Sequence, residues 1–179
     1  MKKLLIIAAV LATAAMANAA SVNWTANTIY SPGTSTTAAQ LLFCFDSSTY
    51  SYATAQAAVA AGKTDFLANA LNPTGNLSTS TGKLTANGVG TVENGSAMTG
   101  YMVILNAGTI ADATKMVITS EITGTASGAT GTAGKMAFGS LGELTGNAAN
   151  WQTVAVPEPT SGLLMLLGIA GLALKRRRA

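Results

Sequence analysis

The sequence predicts a mainly β protein. It reads as an antiparallel β-sandwich-like domain with one short helical insertion, set between an N-terminal signal peptide and a C-terminal transmembrane helix. Three observations carry that reading. Short apolar and β-branched runs recur between Thr-Gly pairs beginning at 74, 81, 99, 123, 130 and 145, which act as turn punctuation. One Ala-rich stretch among them places its larger apolar residues near helical spacing. The two extremities, unlike the middle, carry long apolar stretches beside clustered cations. The Thr-Gly pairs share no constant period, so a regular solenoid is not supported.

At the front, MKKLLIIAAVLATAAMANAA has the three parts of a secretory signal. Lys2 and Lys3 form its basic region, and Leu4 to about Ala15 its apolar region. Ala17 and Ala19 are the small residues at the −3 and −1 positions, so cleavage is expected before Ala20. Residues 1–19 are read as signal peptide, 20–155 as a Thr/Ser/Gly-rich β domain and 156–179 as a separate tail.

Within the domain, strands are expected at 22–30 (VNWTANTIY), 40–52 (QLLFCFDSSTYSY), 101–106 (YMVILN), 115–123 (KMVITSEIT) and 151–156 (WQTVAV). Weaker strand signals lie at 83–86, 90–93 and 135–138. Residues 54–72 (TAQAAVAAGKTDFLANALN) read as helix, with Gly62 breaking it into two short pieces and Asn72-Pro73 ending it. Residues 124–134 (GTASGATGTAG) read as a flexible loop. A domain of this length buries one modest core.

The composition excludes several classes of function. Only 9% of the 179 residues are charged, against roughly 25% in an ordinary domain. Six of the ten cations lie at the extremities. The interval 20–155 holds four cations against six anions, a net of −2, so the basic pI does not indicate a nucleic-acid partner. With no histidine there is no His-based triad and no ordinary general base near neutral pH. The one cysteine, Cys44, sits in the apolar run LLFCF and reads as a small core residue. The carboxylates Asp46, Asp65, Glu93, Asp112, Glu121 and Glu143 are scattered, and a hydrolase would need two of them to converge in a cleft. No catalytic, metal-binding or cofactor-binding set is assigned, and no cofactor is expected. Of the aromatic residues, Tyr50 and Tyr52 fall on one face of an expected strand and form a candidate glycan platform, although core packing is the commoner fate of such rings.

The tail holds the strongest pattern. Pro157 and Pro159 fix their own φ, lack N–H donors and push Val156 and Glu158 towards extended geometry. The 16 residues from 159 to 174 carry no charge and would span about 24 Å as a helix, short of the roughly 30 Å hydrocarbon core. Lys175, Arg176, Arg177 and Arg178 follow; they suit a cytoplasmic end whose side chains snorkel.

Val156-Pro157-Glu158-Pro159, an apolar helix over 160–174 and the basic cluster, in that order, resemble the PEP-CTERM sorting signal, a tail also labelled as the C-terminal domain of ice-binding proteins. The resemblance is limited to residues 156–179. It implies an exported substrate of an exosortase, a multi-pass membrane enzyme, anchored in the inner membrane by the tail before processing. It further implies a destination at the cell surface or in the extracellular matrix, with exopolysaccharide or biofilm as the setting. A non-enzymatic surface or matrix protein is the expectation that fits best. The alternative is a carbohydrate-binding or adhesive module using exposed Tyr and Trp.

Overall fold

The computed structural model describes residues 19–128 and 131–155. The basic and apolar parts of the signal peptide, Ala17, the Pro-Glu-Pro strip, the apolar segment and the basic cluster lie outside the described residues. Among those described, no helix is long and apolar enough to cross a membrane.

The body is mainly β, in two sheets. The first is built on β1 (Ala19–Asn27), which pairs antiparallel with β4 (Leu84–Ala86) and β5 (Thr91–Glu93). β4 and β5 form one interrupted strand. Between them Val89 N–H donates to Val22 O and Val22 N–H to Gly90 O, while Gly88 and Gly90 take positive φ and absorb the bulge. On the other side β1 pairs with β9 (Gly134–Ser140), and this pair is parallel. The expected all-antiparallel architecture is thereby corrected. Almost the whole second sheet intervenes between β1 and β9, so the two strands are joined by a long crossover, as parallel pairing requires.

The second sheet runs β10-β7-β6-β2-β3, all antiparallel, and β8 pairs with β6 beyond the end of β7. Its centre is β2 (Leu41–Asp46) against β6 (Thr99–Leu105), in register from Leu41↔Leu105 to Asp46↔Gly100. The flanking strands are β3 (Asn76–Leu77), β7 (Lys115–Ile118), β8 (Ile122–Thr123) and β10 (Gln152–Thr153). The expected strand 115–123 is thus present but bulged. Thr119 N–H donates to Met102 O, and the Thr119 hydroxyl accepts from Met102 N–H where the backbone carbonyl has turned away.

Two apolar clusters lie on opposite faces of this second sheet. Leu42, Cys44, Met102, Ile104 and Val117 meet Val22, Trp24, Ala26, Leu84, Ala86 and Met136 of the first sheet. The alternate residues Leu41, Phe43, Phe45, Tyr101, Val103, Leu105 and Met116 are covered from the other side by helical elements. Both faces are buried, so LLFCF and YMVIL are apolar at every position. β1 has only one covered face and alternates accordingly.

The helical cover is α1 (Tyr52–Ala60) and a 3-10 helix, Asp65–Asn69. The break expected at Gly62 is present. The strand expected over 40–52, however, ends at Asp46, whose Oδ1 accepts from Ser48 N–H and Oγ–H in a side-chain turn. Ser51 then caps α1 by accepting from Thr54 N–H. The first strand stops at Asn27 rather than Tyr30, because Thr28 turns to φ 56°. A second helical piece, not expected from sequence, follows β9 as α2 (Gly142–Gly146) and a 3-10 turn, Ala148–Asn150. The described parts of the expected loop, 124–128 and 131–134, are more ordered than expected. Thr125 exchanges backbone hydrogen bonds with Lys135, and Ser127 is buried with its hydroxyl on Glu93 O.

Candidate functional site

The segment 151–155 carries the body up to the expected sorting strip, and every one of its residues is held. Trp151 is buried, and its indole N–H donates to Thr145 O at 2.7 Å. Gln152 and Thr153 pair with Met116 and Lys115 as β10. Val154 is buried in the second cluster, and its N–H donates to Thr114 O. Ala155 N–H donates to Gly62 O at 2.8 Å.

Gly62 therefore has two tasks. It closes α1 in a Schellman arrangement, with Gly62 N–H on Val59 O and Lys63 N–H on Ala58 O. It also turns its carbonyl to the departing chain. At φ 70°, any Cβ on Gly62 would lie 2.5 Å from Thr153 O and 2.8 Å from Ala155 N. The sequence shows Gly62 as a helix break; its hold on residue 155, 93 positions later, has no local signal.

Tyr50 and Tyr52 do not share a strand face: one lies in the turn after β2 and the other opens α1. The expectation of a strand-borne platform is corrected, because Asp46 and Ser51 redirect the chain between them. Both rings join an aromatic group. Tyr50 stacks on Phe66 at 6.0 Å and contacts Phe45, while Tyr52 tilts against Tyr101. Tyr52 donates to Thr119 O and Tyr101 to Tyr50 O. Burial raises the pKa of both donors above the ordinary tyrosine value, and the Glu121 carboxylate adds to it, so both stay protonated and donating. Trp24, Trp151 and Tyr101 are core residues.

Tyr50 nevertheless lines a shallow cleft of about 380 Å³ between α1 and the 3-10 helix, with Phe66, Thr54, Lys63, Asp65 and Asn69 around it. A second cleft, of about 420 Å³, brings two of the scattered carboxylates to one rim, Asp46 and Glu93, with Ser48, Thr91, Ser96 and Thr99. Asp46 is already occupied by Ser48. Cys44 is fully buried; burial alone pushes its thiol pKa up, leaving it protonated and without a base beside it. Ala19 and Ala20 stand at the head of β1, opposite Glu93 and Val92.

Residues 155–178 match the PEP-CTERM protein-sorting motif. The match is confined to that segment, and it begins at the residue that Gly62 holds. No curated protein and no solved structure matches the chain.

Proposed function

We propose that this is an exported, non-enzymatic protein of the cell surface or extracellular matrix, with a β-sandwich body delivered by two address segments. Residues 1–19 direct export. Residues 156–179 anchor the precursor in the inner membrane through the helix 160–174, with Lys175, Arg176, Arg177 and Arg178 on the cytoplasmic side, until an exosortase-type enzyme processes it. Association with extracellular polysaccharide is part of this reading. The observation that carries it is the sorting-motif match at 155–178. The held Ala155 supports it, because the motif match begins at a residue that the body fixes through Gly62.

Within the motif, Glu158 is the one ionised group between two prolines that leave the backbone extended and short of donors. Glu158→Ala should leave export intact while the anchored, unprocessed form accumulates. Mass spectrometry of the C-terminus in cells that contain the enzyme reads this directly. A mutant trimmed as fast as wild type removes the carboxylate from recognition.

A second reading, a carbohydrate-binding module, is favoured by the Tyr50 cleft. An aromatic ring there borders hydroxyl, amide and charged groups, a combination that suits a sugar ring. On this reading the body retains glycans from an array and Tyr50→Ala loses them, whereas Leu77→Ala, on the exposed edge strand, does not. Equal retention by both variants ends it.

A further inference from the structure

We propose that β10 is a releasable spacer: the processing enzyme reaches the sorting strip only when residues 152–155 peel from β7 and Gly62. The inference rests on the exosortase reading above and adds to it what limits access. The reasoning is one of reach. From Ala155, held by Gly62, to Thr160, where the apolar stretch is expected to begin, there are five residue steps. Even fully extended they cover at most about 18 Å. The headgroup layer takes about 5–8 Å of that, leaving a gap of about 10 Å, roughly the diameter of one helix. An enzyme has little room to close around the strip while the body remains zipped.

The strip is also too poor in donors to be gripped alone. Grooves that take extended peptides use main-chain hydrogen bonds, and of residues 156–159 only Val156 and Glu158 have an N–H. The next donors upstream, on Val154 and Ala155, are engaged by Thr114 O and Gly62 O.

The fold supplies the missing length at one place. β10 has two ladder pairs, at the edge of its sheet, and one buried side chain beyond them, Val154. Releasing 152–155 adds about 14 Å of chain. The next residue back is Trp151, buried and hydrogen-bonded, which stops the peeling there. Short edge elements of this kind are what open first in a native fold.

The test locks the spacer. Thr153 and Lys115 face one another across the antiparallel ladder, at a separation a disulfide can bridge. Neither belongs to the buried core, and the chain's own Cys44 is fully buried. Full-length precursor carrying Lys115→Cys with Thr153→Cys, exported to the oxidising side of the membrane, should lose its tail about tenfold more slowly than either single-cysteine variant. Inserting five Gly/Ser residues after Ala155 in the locked chain should restore the rate. Processing of the locked chain at the single-variant rate overturns the spacer, and so does slowing that the insertion fails to relieve. Wild-type precursor that keeps its tail beside an active exosortase overturns the parent reading and the spacer together.

Discussion

At the scale of single residues, polar side chains take the place of backbone at the points where strands run out. Asn72 is the clearest case. β3 covers only Leu41 and Leu42 of β2, and beyond it the Asn72 amide continues the edge. Its Oδ1 accepts from Cys44 N–H at 2.6 Å, and its Nδ2 donates to Leu42 O and to Asn76 Oδ1. Asn72→Ala should therefore cost about 2–3 kcal/mol, the penalty of a buried donor and acceptor both left open rather than the worth of one hydrogen bond. Asn72→Asp keeps the shape but turns the donor into a second acceptor facing Leu42 O, so it should rescue little. Chemical denaturation of the body measures both, and an Asn72→Ala midpoint equal to wild type would show that the edge closes without the amide. From sequence, Asn72 is legible only as the residue before a proline. Its role depends on a strand 30 positions away, which no local pattern encodes. Thr119 is hidden in the same way, inside a run that reads as continuous strand.

At the scale of elements, legibility follows burial. The two central strands stand out because both their faces are covered, so LLFCF and YMVIL are apolar throughout. β1 is legible by alternation, although its end is set by the backbone turn at Thr28 rather than by composition. The weak signals at 83–86, 90–93 and 135–138 correspond to β4, β5 and β9. They are weak because edge strands of three to seven residues carry little hydrophobic load. Two errors have one physical source. The strand drawn through to Tyr52, and the platform placed on it, both treat aromatic residues as strand formers. Asp46 and Ser51 instead bend the chain and start a helix, and side-chain hydrogen bonds outrank β propensity there. The parallel β1–β9 pair lay beyond reach for another reason, since hydrophobic period reports which face is buried and not which strand lies alongside. Of the candidate site, the strip and the glycine break were legible in sequence. The bond that joins Ala155 to Gly62 was not.

At the scale of the whole molecule, both proposed address segments meet the body at residues that are already paired, and on the proposed function this orders the maturation steps. The expected signal cleavage site is the bond between Ala19 and Ala20. In the folded body that bond lies inside β1, with Ala19 opposite Glu93, Ala20 opposite Val92 and Ala20 only 6% exposed. A peptidase that takes its substrate as an extended, unpaired strand needs these residues free. Freeing them means lifting β1 from β5, and the same strand carries Val22, Trp24 and Ala26 into the core between the sheets. Opening there approaches the cost of opening the first sheet, unlike the short edge at β10. On the proposed function, signal cleavage is therefore expected to precede closure of β1, with the chain crossing the membrane before its body folds, whereas removal of the tail can follow folding. Full-length precursor refolded in detergent before signal peptidase is added should be cut between Ala19 and Ala20 about tenfold more slowly than precursor diluted from urea into the enzyme. N-terminal sequencing over time follows the product. Equal rates from the two preparations would mean that β1 detaches on its own, and the fixed order of the two cleavages would fall with that result.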